Sequence, residues 1–141
     1  MDASWRPPVI LVDSSAWIEY DRGSGAPVHR ALSLLVAESR DQVAASEPVL
    51  MEVLAGARTD AQAARLRRLL TSVAWATLDP VADFEGAARI YRQCRAAGVT
   101  PRNVVDCLIA NVALRHDAEL LAADRDFEQI ARVVPLRLYP A

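Results

Sequence analysis

The stretch VILVDSSAWIEY, Val9 to Tyr20, sets four aliphatic residues directly in front of an aspartate and two serines. The run Val9 to Val12 lacks polar alternation, the pattern of a central parallel strand covered on both faces. An aspartate behind such a strand has two readings. Asp13 or Ser14 can cap the helix that follows, expected over roughly Ser15 to Tyr20. Alternatively, the carboxylate stands at the carboxyl end of a buried strand, where α/β folds open the crevice that holds their working groups.

The rest of the chain alternates in the same way. DRGSGAP is a turn by composition, and VHRALSLLVAES has helical spacing at Val28, Ala31, Leu32, Leu35 and Val36. DQVAAS is a short strand. SEPVLMEVLAG reads as a helix with Ser46 as N-cap, Pro48 in the first turn and Gly56 as the C′ glycine, and Glu52 lies inside it. DAQAARLRRLLTS is an amphipathic helix, VAWATL a short strand, and VADFEGAARIYRQCRAAG a longer helix ending at Gly98. TPRNVVDCLIANVALRHD opens with a capping residue and a proline, with Val105, Leu108, Ile109 and Val112 as its core stripe and Asp106 beside it. AELLAAD repeats the opening motif of a strand running into an aspartate, Asp124; RDFEQIA is a short helix, and VPLRLYP a final edge strand. This order predicts a three-layer α/β/α sandwich around a central parallel sheet.

With 141 residues, 52% of them hydrophobic and 24% charged, the chain fits one soluble domain over residues 9–141. Residues 1–8 read as a flexible lead-in, because Pro7-Pro8 blocks both helix and ladder pairing. A net charge of −2 excludes binding of nucleic acid by bulk positive charge, so any such role must come from a local site. No signal-peptide pattern and no apolar run of ~18 residues is present, so a cytoplasmic protein without a membrane segment is expected. Cys94 and Cys107 lack a CxxC partner and read as buried small hydrophobes.

Four carboxylates stand out by position: Asp13 and Asp124 at strand ends, Glu52 and Asp106 on helices near apolar positions. Each alone is weak, since a lone Asp after a strand is usually a cap and a helical Glu usually a solvated partner. Together they would repel unless a cation neutralised them. Oxygen-only ligation suits Mg²⁺ or Mn²⁺, and the matching chemistry is metal-assisted phosphodiester hydrolysis.

ILVDSSAWIEY, EPVLMEVLAG, NVVDCLIANVAL and AELLAADRDFEQIA, in this order, closely resemble the PIN-domain family, specifically the VapC-type ribonuclease toxins of bacterial toxin–antitoxin pairs. The resemblance covers Val9 to Leu138. It implies that Asp13, Glu52, Asp106 and Asp124 are the catalytic and metal-binding acids, that Asp126 shares the last metal position, and that Ser15 braces the site. It further implies Mg²⁺- or Mn²⁺-dependent endoribonuclease cleavage of RNA, restraint by a cognate antitoxin, and a homodimer. Ser14 stands where the family often has threonine.

Arg102, just ahead of Asp106, is a candidate for contact with substrate phosphates, and Arg125, between two aspartates, either braces them or faces the substrate. Arg65, Arg67 and Arg68 read as a solvated helix face with Leu66, Leu69 and Leu70 turned inward. His29 and His116 read as surface or helix-end residues and form no triad with a serine, and Trp17 and Trp75 read as packing residues. A phosphatase would want DxDx[TV], but Ser15 stands two residues after Asp13; no GxGxxG marks a dinucleotide site. The remaining alternative is a catalytically silent PIN-like interaction module.

Overall fold

The computed structural model of the chain describes residues 9–141, so the lead-in and Trp5 lie outside the described residues. Four short strands form one sheet: β1 (Ile10–Val12), β2 (Val43–Ala45), β3 (Ala74–Trp75) and β4 (Glu119–Leu121). Their order is β3-β2-β1-β4, and every pairing is parallel. β1 and β2 are buried at every residue, so both faces of the sheet are covered. That coverage is what makes continuous aliphatic runs stable as strands, and it gives the three-layer α/β/α arrangement.

Among the described residues seven α-helices provide the cover: α1 (Ser14–Arg22), α2 (Pro27–Glu38), α3 (Glu47–Ala55), α4 (Asp60–Thr71), α5 (Pro80–Ala96), α6 (Val104–Arg115) and α7 (Asp126–Ala131). The core joins the strands to Trp17 of α1, Leu32 of α2, Val49 of α3, Leu70 of α4, Ile90 of α5, Ile109 of α6 and Phe127 of α7. Trp17 is fully buried and meets Tyr20 edge to face, with ring centroids 6.0 Å apart. Trp75 is half-buried and donates from Nε1 to the Leu70 carbonyl. Cys94 and Cys107 are free thiols in the core, and burial pushes the Cys107 thiol up to about 12. No helix among the described residues is long and apolar enough to cross a membrane.

Several boundaries depart from the sequence reading. α1 starts at Ser14, one residue early, because Asp13 itself occupies the N-cap. Ser46 sits at the N-cap of α3, but its hydroxyl turns to Glu47 and makes no cap bond to the backbone. Gly56 closes α3 in right-handed geometry, so its freedom to adopt positive φ is unused. Thr100 and Pro101 lie outside α6, which is capped by the side chain of Asn103 accepting from the Val105 amide. The expected last edge strand narrows to a single parallel bridge, Leu120 to Leu138.

Candidate active site

The carboxyl ends of β1 and β4 are neighbours, and the Asp13 amide donates to the Leu121 carbonyl at 2.9 Å. Asp13 is at once the N-cap of α1 and the residue at the carboxyl end of β1. As a cap, its Oδ2 accepts from the Ser15 amide at 3.0 Å and from the Ser15 hydroxyl at 2.6 Å. Ser15 Oγ in turn accepts from the Ala123 amide at 2.9 Å, so one hydroxyl ties the end of β1 to the segment after β4. At the strand end, Asp13 is 2% exposed and its Oδ1 is buried without a hydrogen-bond partner among the described residues. Burial raises its pKa, the Ser15 bonds oppose the rise, and the charge of Asp124 adds to it.

Glu52, on α3, accepts from the Ser14 hydroxyl at 3.1 Å. Its pKa is raised by partial burial and then by Asp13 and Asp124. Asp106 lies in the first turn of α6, 4% exposed, and its pKa is pushed up to about 8 by burial and by the charges of Asp124, Asp13, Glu52 and Asp126. Asp124 accepts at Oδ1 from the Asp126 amide at 2.9 Å, holding the two carboxylates at the start of α7. Ligand oxygens of Asp106, Asp124 and Asp126 all lie within 4.8 Å of one another. Asp13 and Glu52 lie close enough for their charges to raise the pKa of Asp106, and the charge of Asp124 raises theirs.

The basic candidates are placed differently. Arg102 reaches Asp126 from its backbone amide and from Nε, each at 3.3 Å, and Asp124 from Nη2 at 3.5 Å. Arg125 is exposed and makes no ion pair among the described residues. Arg65 pairs with Asp21 at 3.0 Å, and Arg67 and Arg68 face solvent while Leu66 and Leu70 are buried. His29 accepts at Nδ1 from the Gly25 amide, and His116 caps the end of α6. Sequence reasoning missed the Ser14–Glu52 bond and the Arg102 clasp, whose partners lie 38 and 24 residues apart. It also missed Asp83, a fully buried carboxylate paired with Arg115.

Five carboxylates with oxygen-only ligation suit a hard divalent cation. The unpaired buried oxygen of Asp13 is the specific sign of fit. An uncompensated carboxylate oxygen in the interior is costly, and a coordinated cation would satisfy it. Asp106, Asp124 and Asp126 are the residues whose oxygens converge to hold such an ion, whereas Asp13 and Glu52, expected to share it, lie outside that group and near enough only for their charges to act on Asp106.

The family model of the PIN domain matches residues 10–133. This chain belongs to the PIN-domain family. It is 41% identical over 129 residues to the VapC ribonuclease Mb1587 of Mycobacterium bovis and to Ribonuclease VapC11 of Mycobacterium tuberculosis, spanning 92% of this chain and 96% of each relative. Solved structures share the PIN fold at lower identity. VapBC2 from Rickettsia felis, bound to a DNA fragment from its promoter, matches with a TM-score of 0.72 at 17% identity, over 93% of this chain and 97% of that one. VapC20 of Mycobacterium tuberculosis, a sarcin-ricin loop cleaving toxin, matches at 0.65 and 22%, over 91% and 98%. The strand-end position of Asp13 and the helical position of Asp106 are thus built on the PIN scaffold.

Proposed function

We propose that this PIN domain is a VapC-type endoribonuclease toxin that hydrolyses RNA phosphodiester bonds at the acidic cluster and is neutralised by a cognate antitoxin. The observation that carries the reading is the convergence of the Asp106, Asp124 and Asp126 oxygens within 4.8 Å of one another, with the unpaired, buried Asp13 oxygen adjoining them. The 41% identity to VapC ribonucleases over nearly the whole chain supports the substrate class, and structural neighbours solved as toxin–antitoxin complexes support the partner.

Mg²⁺, with Mn²⁺ as substitute, is the proposed cofactor; when bound, such an ion polarises phosphoryl oxygens and lowers the pKa of water for attack. The chain's own residues do the rest. Asp106, Asp124 and Asp126 would hold the ion, Asp106 as its carboxylate, and Asp13, bonded through Oδ2 to Ser15, would offer its unpaired Oδ1 as a further ligand. Glu52, steadied by Ser14, is the proposed group for orienting the attacking water or accepting its proton. Arg102 and Arg125 are the proposed phosphate contacts. A cytoplasmic location and a homodimer, with exposed apolar surface such as Phe84 and Val81 of α5 at the contact, complete the proposal.

Purified, antitoxin-free protein is expected to cut total cellular RNA into discrete fragments with Mg²⁺ or Mn²⁺. Cleavage should disappear in a chelator and in Asp13→Asn. Intact RNA after incubation with folded protein that also binds no Mn²⁺ by calorimetry would instead support a silent interaction module.

A further inference from the structure

We propose that Arg102 is a built-in counter-ion for Asp124 and Asp126 that competes with the divalent cation, and that cation loading releases its guanidinium toward the RNA phosphate. The inference rests on the metal-dependent reading above and adds to it a residue that serves two states of the same site. Arg102 lies on the segment joining α5 to α6, four positions before Asp106, and its backbone amide and Nε both address Asp126.

The quality of this pairing differs from that of the protein's other arginine pairs. Arg115 meets Asp83 at 2.8 Å, and Arg65 meets Asp21 at 3.0 Å. Arg102 makes its contacts at 3.3 and 3.5 Å, spread over two carboxylates, with a side chain that is 78% exposed. Charge-assisted bonds that hold structure are shorter, about 2.7–2.9 Å. The clasp is therefore loose and solvated, strong enough to shield the carboxylates and weak enough to be displaced.

A dication and a guanidinium cannot both be the main counter-ion of Asp124 and Asp126. The carboxylates of Asp106, Asp124 and Asp126 converge within 4.8 Å, a spacing that favours the higher, more compact charge. Neutralised carboxylates no longer hold Arg102, whose planar fork matches the two free oxygens of a phosphodiester. The segment carrying it already stands at the edge of the acidic cluster, so the same side chain can move from guarding the ligands to gripping the substrate.

The test is Mn²⁺ titration calorimetry on antitoxin-free wild type, Arg102→Ala, Arg102→Gln and Arg125→Ala, the last reporting the effect of removing a nearby unpaired positive charge. Both Arg102 variants are expected to bind Mn²⁺ roughly two- to fivefold tighter than wild type, the range of an exposed ion pair. Arg125→Ala should change less. In parallel, saturating Mg²⁺ should shift the Arg102 Nε–H resonance of the wild type. Unchanged or weaker affinity in both Arg102 variants, an equal gain in Arg125→Ala, or an unmoved resonance would overturn the inference and leave the nuclease reading intact. Wild type that binds no Mn²⁺ would instead remove the metal-dependent reading, and this inference with it.

Discussion

Asp83 and Asp106 are both buried carboxylates on helices that pack against each other, yet the protein treats them in opposite ways. Asp83, fully buried on α5, has both oxygens satisfied: Arg115 Nε and Nη2 at 3.0 and 2.8 Å, Asn111 at 2.9 Å and the Asp79 amide at 2.8 Å. Burial pushes its pKa up, but the Arg115, Asp79 and Asn111 bonds prevail and hold it below the usual carboxylate range. Asp106 has four acidic neighbours and is pushed up to about 8. Asp83, which ties α5 to α6, has its own counter-ion in Arg115, whereas Asp106, the proposed metal ligand, has no positive partner of its own among the described residues.

The sharpest test of that contrast is to neutralise each residue in turn. Asp106→Asn is expected to lower metal-dependent RNA cleavage by roughly a hundredfold or more, since it removes a group from a centre worth several kcal/mol to the transition state. The same variant should unfold at equal or higher denaturant at pH 7.5, because it relieves repulsion. Asp83→Asn should do the reverse. It strands Arg115 and should cost about 3 kcal/mol, the low end for a broken buried pair because the Arg115 side chain remains 34% exposed. Specific activity per folded molecule should stay near wild type. Chemical denaturation and cleavage rates on both variants read the crossover; loss of stability in Asp106→Asn would remove the contrast.

A smaller effect is expected where the Asp83 network is held by shape. A Cβ on Gly86 would lie 2.2 Å from Asn111 Oδ1, so this glycine allows α5 and α6 their close approach. Gly86→Ala must push Asn111 off Asp83, with an expected cost of about 1–3 kcal/mol from overpacking. Thermal unfolding measures it, and a variant as stable as wild type would show that Asn111 has room to turn.

How much of this was legible in the sequence depended on distance along the chain. Asp13 was readable because its strand, its cap role and its hydroxyl partner Ser15 lie within six residues. Asp106 and Asp124 were readable as carboxylates against apolar runs. The Asp83 network was not, because its partners Asn111 and Arg115 lie 28 and 32 residues away and no pattern links them. Local signals also misled where tertiary contacts decided the outcome. Thr100-Pro101 looked like a helix start, but Asn103 takes the cap and leaves Arg102 free to reach Asp126. VPLRLYP looked like a strand, but only Leu138 bridges to β4.

The finest distinction between the two carboxylates is in how stability follows pH. Asp106 keeps its proton in the folded protein up to about 8 but loses it near 3.8 when unfolded. Between those values the folded state binds more protons, so stability falls as pH rises, by at most about 1.4 kcal/mol per unit for one such group. Asp83 has the opposite sign: its contribution is present above 3.8 and is lost as pH falls through its depressed folded value. Denaturation from pH 5 to 8 should therefore show a declining stability that becomes shallower in Asp106→Asn, where Asp13 and Glu52 still carry raised values, and persists in Asp83→Asn. Saturating Mg²⁺ should flatten the wild-type decline too, because a bound cation favours the ionised cluster and takes over the role that the proton on Asp106 plays without it. An unchanged slope in Asp106→Asn would mean that another group carries the proton, and that the acidic cluster is better neutralised, by Arg102 or otherwise, than the burial of Asp106 implies.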